Sequence, residues 1–386
     1  MYNAERGLFD LRQGRPLFIT DKGASSPDGG LVSGVLVAAV DGLDLDSLDR
    51  FRAMGTEALR LVVTAHRIAS MGLSTAEINE LGDSGYSIPL RHAVNMQEIL
   101  ALACSSDFVY EAAAIQLSPA TPGEAAGLSL VRLSRLLPAV VAMPVGIPPA
   151  SRIDEALSTG ELLSVDVGEV NEYYTASCDG NVVAISEAPV PLTESEDSRF
   201  VLFRESHGLQ EHVAVIVGNP KNWPDPLPVR LHSACFTGDL FGSLKCDCGE
   251  QLLGSMKFFE EKGGGVLLYL AQEGRGIGLN NKFRAYTLQE NGLDTIDADR
   301  TLGFGPDERR YGVAAQILHE IGIGRIELLT NNPDKVQAMQ DAGIEVVNRR
   351  ALHGTLNRYN RPYVEAKVAR AGHWLHDMLA QSTAGD

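Results

Sequence analysis

The sequence predicts an α/β protein with α+β mixed sheets, divided into two domains at residues 1–178 and 179–386. Two observations carry this. The chain has 386 residues, more than one hydrophobic core normally serves. Strand-like and helix-like stretches also alternate along its whole length, the pattern of layered α/β architectures.

In the first half, Arg15 to Thr20 and Gly30 to Val40 are expected as strands and Asp44 to Met54 as a helix. Leu59 to Ala65 follows as a strand, then Leu128 to Leu137 as a helix running into apolar Val140 to Val145. No convergent set of chemical residues stands out there. A polar, Pro-containing stretch from Ser186 to Ser198 lies near the expected boundary. In the second half, Gly265 to Leu270 is a short apolar run suited to a buried strand. The glycine-rich Gln272 to Gly278 follows, then a helical pattern to Glu290. A helix is expected from Asp307 to Ile321, with Val313, Ile317 and Ile321 on one face, and a strand from Arg325 to Leu329. Asn332 suits a helix N-cap and Pro333 the first helical position.

Composition is that of an ordinary globular protein, 44% hydrophobic and 22% charged, with net charge −17. Nonspecific nucleic-acid binding needs a basic face and is not expected. A local Arg and Lys cluster for a phosphorylated small molecule remains compatible with that charge. No signal-peptide pattern opens the chain, and no apolar run nears the ~20 residues of a membrane span. The expected address is the cytoplasm, with neither membrane nor nucleic acid as partner.

Of the five cysteines, Cys235, Cys246 and Cys248 fall within fourteen positions. An odd count so crowded reads as a metal or redox site, not as a secreted disulfide framework. Three thiolates can hold zinc and leave a fourth tetrahedral position for a water whose pKa the metal lowers towards about 7. The alternative is three reduced cysteines packed as small apolar side chains. A closed structural site would need a fourth ligand, and His232 is the nearest candidate.

Glu273, Gly274 and Arg275 open a loop where glycines permit close backbone approach and Arg275 can grip a phosphate or base edge; a plain tight turn is the other reading. Asp307-Glu308-Arg309-Arg310 reads as a helix start whose two arginines oppose the helix dipole unless an anion compensates. Thr330 to Lys335 offers free N–H groups, a hydroxyl and an ammonium. Either cluster alone is more often a solvated helix end, but both after a cysteine triad favour a polyphosphate substrate. Tyr286, on the helix after the glycine loop, reads as a packing residue on sequence alone.

RLHSACFTGDLFGSLKCDCGEQL from Arg230, YLAQEGRGIGLNNKFRAYTLQENGLDT from Tyr269, LGFGPDERRY from Leu302 and LLTNNPDK from Leu328 together resemble GTP cyclohydrolase II. The resemblance covers about residues 180–376. It implies a zinc-dependent hydrolase that opens the imidazole ring of GTP and releases formate and pyrophosphate at the start of riboflavin synthesis. It implies zinc on Cys235, Cys246 and Cys248, magnesium on the GTP phosphates, and a homodimer. GTP contacts are expected from Arg230, Leu231, His232, Ser233, Gln251, Glu273, Gly274, Arg275, Thr295, Thr330 and Lys335. Asp307 takes the place of the family's proton acceptor, Arg309 that of a proposed nucleophile, and Tyr286 that of a tyrosine assisting ring opening. A protonated guanidinium is a poor nucleophile, so charge stabilisation suits Arg309 better. Ala234 stands where the family commonly has Glu, and Ala271 where it commonly has Arg.

The first half weakly resembles a dihydroxybutanone phosphate synthase domain. Asp21 to Asp28, where that family carries an acidic run for magnesium, is nearly stripped of carboxylates, and its His-Thr-Glu element reads here as Thr121-Pro122-Gly123-Glu124. The resemblance implies a degenerate domain without synthase activity. Other readings are a paralogue that acts on another purine nucleotide or stops after ring opening, and a zinc-stabilised nucleotide-binding regulator.

Overall fold

Val-Leu-Leu-Tyr at 266–269 and Ile-Glu-Leu-Leu at 326–329 are short apolar runs, and both lie inside a seven-stranded mixed sheet. The computed structural model describes residues 2–21, 34–55, 57–73, 85–106, 116–146, 151–178, 180–206, 209–375 and 378–379. The chain divides into two compact units.

The first unit comprises Met1–Thr175 together with Asn280–Leu293 and Asp297–Pro306. Its sheet holds β1 (Leu17–Thr20), β2 (Gly34–Ala39), β3 (Arg60–Val63), β4 (Tyr86–Pro89), β5 (Ser118–Pro119), β6 (Ala139–Val145) and β7 (Leu163–Asp166). The order is β5-β4-β3-β6-β2-β1-β7, antiparallel except where β1 runs parallel to β7. Its central strands β2 and β6 are almost wholly buried, which accounts for their Val and Ala content. The helix expected at Leu128 to Leu137 instead spans Pro122–Leu133, because Thr121 and Glu124 form a capping box that starts it earlier. The strand expected at Gly30 to Val40 is observed as β2, Gly34–Ala39; its first residues, 30–33, and the stretch from Lys22 to Asp28 lie outside the described residues.

The second unit comprises Ala176–Leu279, Asp294–Ile296 and Asp307–Asp386. Its strands are β8 (Val182–Pro189), β9 (Ser198–Glu205), β10 (Glu211–Val217), β11 (Leu227–Ser233), β12 (Gly265–Leu270), β13 (Arg325–Leu329) and β14 (Glu345–Arg350). They lie in the order β14-β13-β11-β12-β10-β9-β8. The first four are mutually parallel and the rest antiparallel. The polar stretch Ser186 to Ser198 is therefore not a linker throughout, since its first residues pair within β8.

Strand periodicity divides this unit's core in two. Leu231, Leu268 and Leu328 pack with Val313, Ile317 and Met339 from the helices Gly312–Glu320 and Pro333–Asp341. Leu267 and Leu329 pack on the opposite face with Met256 and Phe259 of the helix Cys248–Lys262. Covering both faces leaves the carboxyl ends of the parallel strands as the natural crevice.

The helix expected from Asp307 begins only at Gly312. Asp307 Oδ1 accepts from the Arg309 backbone N–H at 3.0 Å and from its Nε at 2.8 Å, a local turn that competes with helix formation. The first-turn placement of Arg309 and Arg310 does not hold, and these residues lie outside any regular secondary structure. Asn332 does cap the helix Pro333–Asp341, accepting from Asp334 N at 2.9 Å. Among the described residues no helix is long and apolar enough to cross a membrane.

Candidate metal centre and anion-binding crevice

Three neighbouring parallel strands, β13, β11 and β12, end side by side, and the segments leaving them carry most of the chemistry. Cys235 follows β11, Gln272 and Glu273 follow β12, and Thr330 follows β13. Cys246 and Cys248 precede and open the helix Cys248–Lys262. The three sulfurs lie within 4.8 Å of one another, Cys235 and Cys246 at 3.6 Å. Thiolates about 2.3 Å from one tetrahedral zinc are separated by about 3.8 Å, so the spacing suits that ion. Hydrogen bonding to Cys235 pushes both thiols up, Cys246 to about 11 against a lowering contact from Cys248, and Cys248, which also bonds Cys246, well above its ordinary value. A divalent cation would displace those protons. Gly238 is the residue that makes room: a Cβ there would stand 2.7 Å from the Cys246 sulfur and 3.0 Å from that of Cys235.

His232 does not act as a fourth ligand. Its Nε2 faces Asp239 at 3.1 Å, and its ring stacks on Tyr269. Asp239 also accepts from Tyr269 Oη and from the Cys235 backbone N–H, each at 2.9 Å. This carboxylate fixes the backbone that presents Cys235. Glu273 braces the same turn, its Oε2 accepting from Phe236 N at 2.6 Å. Gly274 and Arg275 both adopt left-handed backbone, φ 62° and 58°. At Arg275 that conformation costs about 1–3 kcal/mol, a strain characteristic of functional loops.

Beside the thiols lies a crowd of cations. Arg230 is buried, donating to Leu329 O at 2.9 Å and to Gln251 Oε1, and Gln251 in turn donates to Asp247 at 2.6 Å. Burial brings the Arg230 guanidinium down to about 10 despite Asp247. Lys335, also buried, donates to Leu231 O at 2.8 Å; desolvation, then repulsion from Arg230 and Arg309, pushes its ammonium well below the lysine range. His373 falls to about 3 through burial and the fields of Lys367, Arg309, Arg275 and Lys335. Cations so placed destabilise one another unless an anion joins them.

Arg309 is clamped by Asp307 through Nε at 2.8 Å and Nη2 at 2.5 Å. Burial raises the Asp307 carboxyl, but the Arg309 charge outweighs it and holds the group below its ordinary value. Burial opposes the Arg309 charge, while Tyr311 and Asp307 more than restore it, so the guanidinium stays protonated. Among the described residues, Arg230 Nε, His232 Nδ1, Ser233 Oγ, Asp247 Oδ1, Gln272 Oε1 and Asn331 Oδ1 are buried without a hydrogen-bond partner. Native interiors rarely leave such atoms unpaired, so these groups are open to a polar ligand.

Of the expected residues, Arg230, Gln251, Arg275, Asp307, Arg309 and Lys335 converge around this crevice with the thiols. Leu231 contributes its carbonyl, and Thr330 Oγ1 accepts from Asn332 N at 3.0 Å, shaping the turn. Thr295 opens the helix Thr295–Thr301 and shares none of these hydrogen bonds. Tyr286 lies on the helix Leu279–Glu290, in the first unit. The sequence reading passed over Lys367, His373, Tyr311 and Asp239. Tyr311 is buried beneath Arg309 and Lys335, its ring centroid 5.5 and 5.4 Å from their cationic groups. A buried tyrosine directly after an Arg pair, and a Lys and His six residues apart near the end of the similarity, were the available signals.

The family profile of GTP cyclohydrolase II matches residues 183–351. The GTP cyclohydrolase-2 of Xylella fastidiosa is 37% identical over 369 residues, 96% of this chain and 86% of that protein. That of Azospirillum brasilense is 36% identical over 378 residues, covering 97% and 94%. The shorter Pasteurella multocida protein of that name is 47% identical over 191 residues, 50% of this chain and 87% of its own. A two-domain 3,4-dihydroxy-2-butanone 4-phosphate synthase from A. baumannii aligns with 90% of this chain and 98% of its own at 17% identity and a TM-score of 0.34.

Proposed function

This chain belongs to the GTP cyclohydrolase II family, and we propose on that premise that it hydrolyses GTP to the 2,5-diamino-6-ribosylamino-pyrimidinone phosphate, formate and pyrophosphate. The observation that carries this reading is the three-thiol cluster, with nearby cations and unpaired polar atoms, at the carboxyl ends of the parallel strands. The donor set and sulfur spacing fit zinc. When bound, zinc supplies a Lewis acid that makes a water nucleophilic near neutral pH.

The chain's own residues then bind and orient. Arg230, Arg309 and Lys335 would take the triphosphate, exchanging mutual repulsion for charge-assisted hydrogen bonds. Ser233 Oγ, Gln272 Oε1 and His232 Nδ1 are the unpaired groups available to the base and ribose. Asp239 holds His232 and the Cys235 backbone still, and Glu273 holds the turn between Cys235 and the glycine loop. Magnesium would travel with the phosphates. Asp307, Asp334 and Asp341 line a cavity of about 410 Å³ beside Arg309 and Tyr311 and offer the oxygen donors that ion prefers. Arg309, held protonated by Asp307, stabilises phosphate charge and is not itself the nucleophile. Purified chain given GTP and magnesium should yield formate, pyrophosphate and the pyrimidine in equal amounts. Ring opening without formate, or turnover of a different purine nucleotide alone, would replace this assignment.

The domain assignment extends the proposal: residues 1–178 form a degenerate synthase-like domain and 179–386 the cyclohydrolase. Glu124, the one carboxylate of the Thr121-Pro122-Gly123-Glu124 element, is buried and already engaged. It accepts from Thr121 N at 2.8 Å and from Ser87 Oγ at 3.2 Å. Ribulose 5-phosphate should therefore not be converted to dihydroxybutanone phosphate at any magnesium concentration, and measured turnover would refute the reading. A homodimer in the cytoplasm completes the proposal.

The two family departures also fit together. Ala234 N donates to Leu270 O at 2.8 Å, directly after the register that pairs Ser233 with Leu270, so Ala234 and Ala271 each immediately follow neighbouring strands. A Glu and an Arg there would pair directly, so losing both together leaves no stranded charge. Ala234→Glu or Ala271→Arg alone should impair GTP turnover more than the double change, with a coupling of at least about 0.5 kcal/mol. Strictly additive effects would make the two losses unrelated.

A further inference from the structure

Tyr286 matches the tyrosine that assists ring opening in the family, yet its helix is built into the first unit. Four residues from the first 135 positions fasten that part of the chain. Asp41, at the turn after β2, takes Arg284 in a two-point ion pair, Oδ1 to Nη2 at 2.5 Å and Oδ2 to Nη1 at 3.0 Å. Its carboxylate is only 10% exposed and also accepts from Leu137 N at 2.9 Å, so it is fixed from within the sheet.

Arg135 holds a left-handed backbone, φ 57°, and its carbonyl accepts from the buried Asn281 side chain at 3.0 Å. Thr64 Oγ1 donates to Gly303 O at 2.6 Å while accepting from Arg67 N at 3.2 Å. Gly303 sits at φ 88°, and a Cβ there would stand 3.0 Å from Pro138 and 3.1 Å from Thr64 Oγ1.

Arg67 is 1% exposed. Its guanidinium donates to Leu102, Ala101 and Ser105 carbonyls, at 2.9, 3.0 and 2.9 Å, where the helix Met96–Cys104 ends. It also donates to Thr301 O at 3.0 Å, where the helix Thr295–Thr301 ends. One buried cation thus caps two helix carboxyl ends, one from each part of the sequence.

None of these groups belongs to the crevice described above, and a degenerate synthase needs none of them to grip residues 280–306. We infer that the first domain now serves the cyclohydrolase as a scaffold. Asp41, Thr64, Arg67 and Arg135 are positioning residues that hold the Tyr286 helix and the turn ending at Pro306. The effect on catalysis rests on the reading of Tyr286 given above, while the scaffold itself rests only on these contacts. An isolated helix of twelve residues is marginal in water, so its order must come from such packing.

The experiment uses the full-length chain and the variants Asp41→Asn, Thr64→Val and Arg67→Met, with Arg15→Ala on the exposed Asp10 pair as control. Amide hydrogen exchange should quicken in peptides covering 280–306 by about tenfold or more, with peptides covering 228–248 unchanged. The kcat for formate release should fall about tenfold with KM within about twofold, and the loss should not add to that of Tyr286→Phe. The near-isosteric Asp41→Asn keeps the test usable if Arg67→Met fails to fold. Unchanged exchange in 280–306 overturns the scaffold, and losses additive with Tyr286→Phe overturn its catalytic purpose. If Tyr286→Phe alone keeps the parental kcat, the role of Tyr286 fails and the exchange data still decide the scaffold.

Discussion

Cys246→Ser should abolish formate release, lowering it by at least about 10³-fold, and should reduce bound zinc from one per chain to a small fraction. The serine hydroxyl occupies nearly the same space but does not ionise near neutral pH, so the cluster loses one of three soft anionic donors. Cys246 is also the thiol beneath Gly238 and 3.6 Å from Cys235, so its loss opens the tightest part of the cluster. Zinc content by atomic emission and formate by a coupled assay separate the two effects. A Cys246→Ser chain that keeps full zinc and full formate release would show that this thiol is not a ligand.

Arg309→Ala should lower kcat by about 10²–10³-fold, the usual cost of removing one preorganised group that stabilises transition-state charge. Arg309→Lys should recover part of that loss, because an ammonium supplies the charge without the two-point grip on Asp307. The pair separates two chemistries. A covalent role for the guanidinium, attacking the α-phosphorus and expelling pyrophosphate, predicts a nucleotidylated Arg309 in quenched reactions and no rescue by lysine. Charge stabilisation predicts no adduct and a graded series from Arg through Lys to Ala, read by rapid-quench mass spectrometry and steady-state kinetics.

The parts of the fold legible in the sequence were those specified locally. Gly265 to Leu270 and Arg325 to Leu329 are apolar runs bounded by polar or glycine positions, and both strands occupy those bounds. Asn332 and Pro333 carry their own cap, so that helix start was legible too. The helix expected at Asp307 failed for an equally local reason: the Asp307 carboxylate binds Arg309 two residues on, in a turn that competes with the helix. The Glu308 N–H then donates to Arg275 O at 3.0 Å, seating the segment against the glycine loop. Strands β10 and β11 went unproposed because His212, Arg230 and His232 break up their apolar pattern, although all three are buried.

The site was partly legible for the same reason. Cys235, Cys246 and Cys248 are close in sequence, and their spacing alone pointed to a metal. Lys367 comes within electrostatic reach of Lys335, and His373 of Arg309 and Lys335, only through tertiary packing, and no periodicity announces that. The inclusion of residues 280–293 and 297–306 in the first unit depends on Asp41 and Arg67, more than two hundred positions away.

The central claim is that one zinc held by three cysteines drives the ring opening of GTP. Its most direct measurement is formate released per GTP by chain stripped of metal and then titrated with zinc. The account predicts no formate from the stripped chain and activity rising in proportion to zinc, reaching its plateau at one equivalent. Full formate release by a chain shown to be zinc-free would contradict it.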